Sequence, residues 1–309
     1  MTQDDPTATA RANVLSGRVG RGTRAVFWAG LVAQIGIVIT GGLVRLTGSG
    51  LGCPTWPTCA DDSYVPVATQ EEGIHRWIEF GNRLLTFVLA VVLVACVVAA
   101  WRHRPRRRPL VLLAVAGFLG IPAQALLGGV TVLTGLNPWT VAAHFMLSMV
   151  LIAIAVALIA RGDDDGDAPP VLRVRRELHQ LSWAVVVVTF VVLVLGTVVT
   201  GSGPHSGDAE TGRNGLDPRA MSWLHADAVL LLLGLLVALL LAFRLTGAPD
   251  DLRRRGWFLA AVVIAQGAVG YVQYFTGLPE AVVALHLLGA CLVWAGALRV
   301  HLGLRTRAV

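Results

Sequence analysis

The sequence predicts an all-α membrane protein, with eight transmembrane helices arranged as two pseudo-symmetric four-helix bundles. Three observations predict it. The first is composition: of 309 residues, 55% are hydrophobic and only 14% charged, whereas a soluble domain is about 25% charged. The mean hydropathy is +0.68. So much apolar surface cannot be hidden in one core of this size, and lipid is the simplest solvent for it. The second is a series of long apolar runs, and the third is an internal repeat. Disordered, collagenous and ordinary cytosolic classes are excluded.

Residues 1–24 form a polar, arginine-bearing tail. The apolar run that follows, at 25–44, is too long and too far from the start to be a cleaved signal peptide. Further runs lie at 78–100, 110–133, 140–160, 181–200, 221–243, 257–275 and 281–300. Each is about 20 residues, enough to cross ~30 Å of hydrocarbon at ~1.5 Å per residue. They must be helices because backbone polar groups in lipid have to be satisfied within the segment. Residues 25–160 hold the first four spans and 181–302 the last four, with a linker at 161–180 and a tail at 303–309.

All 25 basic residues are arginine, against 19 acids. On a soluble protein this balance would suggest nucleic acid. Here the arginines mark topology, and no nucleic-acid partner is expected. The N-terminal tail holds Arg11, Arg18, Arg21 and Arg24, and the link WRHRPRRRP after span two holds five more, Arg104 and Arg106 among them. Arg161, Arg173, Arg175 and Arg176 follow span four. Arg244 and Arg253 to Arg255 follow span six, and Arg299, Arg305 and Arg307 mark the C-terminus. With eight spans these segments share one face, so both termini are expected to be cytoplasmic, in the cell membrane. The opposite loops, at 45–74 and 201–220, carry Asp61, Asp62, Glu71, Asp208 and Asp217. Trp56, Trp139 and Trp223 at outer span ends, with Trp101 and Trp257 at inner ends, fit an aromatic belt. The run Asp163-Asp164-Asp165-Gly166-Asp167 reads as a solvated inner loop.

The halves repeat. Gln124, Thr134, Gly135, Leu136 and His144 recur as Gln266, Thr276, Gly277, Leu278 and His286, at an offset of 142 throughout. Thr47-Gly48-Ser49-Gly50 recurs as Thr200-Gly201-Ser202-Gly203. Four spans per unit make the repeat parallel, and two similar bundles suggest two similar sites.

Ionisable residues within spans are costly and point to function. The candidates are Glu79, Arg83, His144, His225, Asp227 and His286, with His75 at the outer edge of span two. His103, His179 and His301 fall in cytoplasmic links or at an inner span end and read as solvated. His225 and His286 lie at matched depth, roughly 6–8 Å below the outer surface at helical rise. Two neutral imidazoles on facing helices are the usual way to hold a haem iron by both axial positions. The N-terminal half is less complete. His225 precedes His286 by 61 residues, and counting back 62 from His144 gives Asn82, a poor iron ligand, with His75 two turns away. Glu79 and Arg83 share a helical face. Near a haem, Arg83 could meet a propionate and Glu79 could act as a base; the same pair could be a buried salt bridge. Cys53 and Cys59 lie in the outer loop, where a disulfide is plausible. Cys96 and Cys291 lie within spans and read as inert core.

The run Gly41-Gly42-Leu43-Val44-Arg45-Leu46-Thr47-Gly48-Ser49-Gly50-Leu51-Gly52-Cys53-Pro54-Thr55-Trp56-Pro57-Thr58-Cys59, followed by Ile78-Glu79-Phe80-Gly81-Asn82-Arg83, resembles the haem A synthase family. The likeness runs through all eight spans. It implies an enzyme that oxidises a methyl group of haem O to a formyl group by successive hydroxylation, giving haem A for terminal oxidases. It implies haem b held by His225 and His286 in the C-terminal half. A haem O substrate site is implied in the N-terminal half, at His144, with His75 and Arg83. Glu79 is implied as catalytic, and Cys53 and Cys59 as a disulfide or redox pair. The family's span-two motif has a histidine where this chain has Asn82, as expected of an actinobacterial-like type. Implied partners are membrane lipid, a haem O synthase, an electron-transfer partner and a second copy of the chain. The competing readings are a b-type cytochrome-like electron carrier with a quinone site, which needs four iron ligands, and a transporter, which needs broken helices and charges near the bilayer centre.

Overall fold

The structure, a computed structural model, describes residues 17–103, 107–204 and 211–308. Arg11, Arg104, Arg106 and Asp208 lie outside them. Among the described residues eight helices are long and apolar enough to cross a membrane, so the chain is a multi-pass membrane protein. They are α1 (Arg21–Leu46), α2 (His75–Trp101), α3 (Arg108–Leu133), α4 (Pro138–Asp163), α5 (Arg176–Ser202), α6 (Pro218–Leu245), α7 (Asp250–Phe275) and α8 (Glu280–Gly303). Two short strands, β1 (Val171–Leu172) and β2 (Arg305–Thr306), pair antiparallel and tie the linker to the C-terminus.

The helices outrun the apolar stretches because their ends are capped in the polar zone. Asn137 accepts a bond from Trp139 N at 3.0 Å to open α4, and Asp217 accepts one from Arg219 N at 3.0 Å to open α6, each followed by proline. α3 and α7 end alike. Gly135 and Gly277 take positive φ of 60° and 77°, and Leu136 and Leu278 follow at 56° and 62°. Leu136 N then bonds Thr131 O at 2.8 Å, and Leu278 N bonds Gln273 O at 2.9 Å. These are the same C-terminal turn, needing glycine for its left-handed step. The sequence repeat is therefore a structural one.

α1 packs on α2 and α4, and α3 on the same two, closing one bundle. α5 packs on α6 and α8, and α7 on the same two, closing the second. The bundles meet along α4 and α8, with α1 against α8 and α4 against α5. That exchange of partners is what a parallel pseudo-two-fold requires. At the seam the buried Trp294 indole donates to Met149 O at 2.8 Å, satisfying its N–H away from water. Outward faces carry side chains such as Phe87, Val91, Leu112, Leu241 and Phe275. Trp101, Trp139, Trp223 and Trp257 are exposed at helix ends, as a belt requires.

The arginine-rich end corrects two expectations. The acidic run is a hub and not a solvated loop. Arg107, only 4% exposed, donates to Asp167 Oδ1 at 3.1 Å, Gly17 O at 2.6 Å and Asp164 O at 3.0 Å, and also to Arg161 O. Asp165 pairs with Arg18 at 2.7 Å, Asp163 with Arg24 at 3.3 Å, and Asp164 with Arg161 at 2.9 Å. Burial is strong enough here to raise the Asp164 carboxyl above its usual range despite Arg161 and Arg307. Asp251 likewise pairs with Arg173 at 2.7 Å. The network joins the N-terminal segment, the α2–α3 link, the end of α4 and the C-terminus. Replacing Arg107 with alanine would leave Asp167 to Arg161 alone and strip three carbonyls of a charged donor. We expect a loss of about 3 kcal/mol or more, read by thermal unfolding in detergent; an unchanged melting temperature would show the network carries no stability.

His301 is the second correction. His301 is 3% exposed. Its Nδ1 lies 2.8 Å from Ser182 Oγ, which itself donates to His179 O at 2.7 Å. The His179 and Trp183 rings sit 4.8 Å and 4.7 Å from the His301 ring. Because α5 starts at Arg176 and α8 runs to Gly303, these rings fall within the α5–α8 contact. His103 lies at hydrogen-bond distance from Thr23 Oγ1, at 3.4 Å.

Candidate functional site

The remaining intramembrane histidines gather at the opposite end, which also carries the Cys53–Cys59 disulfide. His144 and His286 each lie six residues beyond their helix starts, and His225 seven. At helical rise that is roughly 9–11 Å along each helix from its first residue.

Each ring is placed by a neighbouring helix. Gln124 Nε2 of α3 donates to His144 O at 3.3 Å and to Ser148 Oγ at 2.7 Å. Gln266 Nε2 of α7 donates to His286 O at 2.7 Å. Glycines back the rings: a Cβ at Gly128 or Gly270 would lie 3.3 or 3.2 Å from Cε1 of His144 or His286, and one at Gly196 would lie 3.3 Å from His225 Cε1. All three rings have a buried Nδ1 with no hydrogen-bond partner. His225 and His286 stand within electrostatic reach of one another. They project from α6 and α8, which both pack on α5 and on α7 and so stand on opposite sides of the second bundle.

In the first bundle, α2 supports the disulfide loop. Glu79 is 7% exposed, and its Oε2 accepts from Cys53 N at 2.7 Å. Its Oε1 accepts from Arg83 Nη2 and Nε at 2.7 and 3.1 Å. Arg83 also donates to Thr58 O at 3.0 Å, Cys53 O at 3.1 Å and Thr55 O at 3.2 Å. Both oxygens of Glu79 and the whole guanidinium fork are thus engaged, and they clamp the loop. His75 Nδ1 lies 2.8 Å from Ser49 Oγ, which lies 2.8 Å from Thr47 Oγ1. Trp56 does not join the aromatic belt. Its indole lies against Gly129, where a Cβ would stand 2.4 Å from the ring. Adjacent glycines of α3 thus receive His144 and Trp56, so the loop closes over the stretch that places the histidine.

Asn82 shares the α2 face of His75, two turns further along. Its Oδ1 is buried without a partner, and a Cβ at Gly41 would lie 3.8 Å from its Nδ2. Asp227 is not drawn in; it is exposed, two residues beyond His225 and so on the far side of α6. Cys96 and Cys291 are free and buried.

Residues 24–205, more than half of the chain, match the family model described as cytochrome oxidase assembly protein, COX15-CtaA. The chain belongs to this family. It is similar to the haem A synthases of Bacillus cereus (strain ATCC 14579) and Bacillus anthracis. Each is 26% identical over 301 residues, covering 92% of this chain and 95% of the relative. The matched segment of the cytochrome oxidase assembly protein family takes in α1 to α5, with the disulfide loop, Glu79, Arg83 and His144. His225 and His286 lie beyond it, in the span that the full-length alignments cover.

Several residues of this site escape a reading of the sequence. Gly128 and Gly270 had a signal, since they too stand 142 apart. Trp56 had none, because its partner lies 73 positions away. Arg45 had one: it breaks the arginine asymmetry by sitting at the disulfide end of α1.

Proposed function

We propose that this chain is a haem A synthase that oxidises a methyl group of haem O to a formyl group. The observation that carries the reading is the His225–His286 pair: two imidazoles from facing helices, backed by glycine, each with a buried unpartnered ring nitrogen. Residues of this kind fit a haem. The neutral rings would each supply a lone pair to a haem iron, and the apolar helices would wall the macrocycle. In this reading His225 and His286 hold haem b in the second bundle, residues 181–302. Haem O enters the first, residues 25–160, and meets His144.

The overall change is R–CH3 + H2O → R–CHO + 4 H⁺ + 4 e⁻, reached through successive hydroxylation and loss of water from a gem-diol. When bound, the haem iron supplies redox chemistry, and an electron-transfer partner takes the electrons. This chain's residues do the rest. His144 would orient the substrate, and Asn82, unlike an imidazole, would offer its iron no second strong ligand. His75 flanks Asn82 from two turns nearer the disulfide end. Arg83 and the disulfide loop close the site against water, with Trp56 as the seal. Glu79 is the one carboxylate of α1 to α4 apart from Asp163 at the far end. It accepts the proton released as the methyl carbon is oxidised. Cys53 and Cys59 tie the loop whose backbone Glu79 and Arg83 grip.

The arginine-rich end faces the cytoplasm by the positive-inside rule, so both termini are cytoplasmic and the disulfide lies on the oxidising side. A haem O synthase in the same membrane supplies the substrate. Asn82 also marks this chain as the actinobacterial-like type. It tells against the b-type electron carrier, which requires a fourth iron ligand.

Expression with a source of haem O, followed by pigment extraction, tests the function. We expect a formyl-haem. Bound haem without that product would favour the electron carrier.

A further inference from the structure

Arg83 is the arginine that the sequence offers to a haem propionate, yet its fork is spent on Glu79 and three loop carbonyls. A different arginine is left with capacity. Arg45, near the disulfide end of α1, makes one long bond, from Nη2 to Thr200 O at 3.4 Å. Its Nε is buried without a partner. Arg213, in the loop before α6, donates to Pro204 O at 2.8 Å, and the next residue, Asn214, bonds Gly201 O from its N at 3.0 Å and Val198 O from its Nδ2 at 2.9 Å, so this loop is held against the end of α5 that Arg45 reaches at Thr200. Among the described residues neither meets a carboxylate. The buried Arg45 Nε is a charged donor left without an acceptor, which is costly unless an anion reaches it.

Their position names the anion. Thr200 lies four residues above Gly196, the glycine behind His225. Gly42, three residues below Arg45, lies so close to α8 that a Cβ there would stand 2.2 Å from Leu287, the neighbour of His286. Arg45 therefore leaves its own bundle and sits about one turn above both imidazoles of the other, on the side of the disulfide end. A porphyrin standing between those rings with its acidic edge toward the polar zone would present its carboxylates there.

We propose that Arg45 and Arg213 bind the propionate carboxylates of the haem held between His225 and His286. Arg45 then makes the C-terminal haem site incomplete without the N-terminal bundle. The proposal rests on the haem reading above. The shared chemistry, an anion at the outer face, could also come from a lipid phosphate, so the test separates the two.

Full-length protein produced without haem is titrated with iron protoporphyrin IX and with its dimethyl ester, at fixed anionic lipid, for wild type, Arg45→Gln, Arg45→Lys and Arg213→Gln. Affinity is read from the Soret band, and the midpoint potential is measured beside it. We expect wild type to favour the free acid by about tenfold or more, the scale of a charged hydrogen bond. Arg45→Gln should lose most of that preference and shift the potential while keeping a low-spin spectrum. Arg45→Lys should retain part of the preference, and Arg213→Gln should lose a smaller share. Equal binding of acid and ester by wild type, or an undiminished preference in Arg45→Gln and Arg213→Gln, would overturn the proposal. Loss of co-purifying anionic lipid in the variants with the preference for the free acid intact would identify a headgroup site and overturn it too. A wild-type chain with no low-spin species at all would instead sink the haem reading beneath it.

Discussion

Purified His225→Ala and His286→Ala variants each lose the low-spin spectrum of a bis-imidazole haem. The expectation follows from placement. One ligand comes from α6 and the other from α8, and among the described residues no third histidine, cysteine or acid joins them in a metal-binding group. Removing either ring leaves iron with one protein ligand, so the effect is a change of spin state and not a modest shift. The fold should tolerate the change. His286 gives its backbone carbonyl, not its ring, to Gln266, so the α7–α8 bond survives alanine. Absorbance and magnetic circular dichroism of the purified proteins decide the matter. Retention of the spectrum in both variants would put the ligand assignment in error.

Glu79→Ala should retain haem b and lose formyl-haem production by about 10²-fold or more, the scale of a general base. In the proposed reading haem b is held in the other bundle, which is why the two readouts separate. Alanine does two things at once, however. It removes a proton acceptor, and it removes the oxygen that holds Cys53 N, leaving Arg83 without its counter-charge. Glu79→Gln divides the two roles in part, since it keeps one acceptor for the loop while its NH2 cannot accept from Arg83. The amide oxygen can still accept from Cys53 N, but it cannot take a proton at neutral pH. Turnover lost in both variants, with haem b content unchanged, supports proton transfer. Turnover restored in Glu79→Gln would reduce Glu79 to a loop anchor.

Much of this architecture is local, and local features can be read along a chain. Apolar runs give the spans, and the 142-residue offset gives the two bundles. The matching turns at Gly135 and Gly277 follow from a residue type that alone takes the left-handed step cheaply. The histidine depths were legible too, because depth is only distance from a helix start. What escaped was lateral. The Asp163–Asp167 run reads as solvated because nothing in its own neighbourhood shows that Arg18, Arg24 and Arg107 converge on it. His301 reads as solvated because its partners, Ser182 and Trp183, belong to a helix more than a hundred positions earlier.

By itself the sequence determined the solvent of this protein, its eight crossings, its duplication and the kinds of chemistry its buried polar groups permit. Those depend on composition and on spacing along one helix at a time. Only the tertiary structure decided which groups are spent and which are free: Arg83 consumed by the disulfide loop, Arg45 carried across to the other bundle. The physical reason is that a hydrogen-bonding group has a fixed capacity, and what fills it is settled by neighbours in space, which helix packing chooses and spacing along the chain does not.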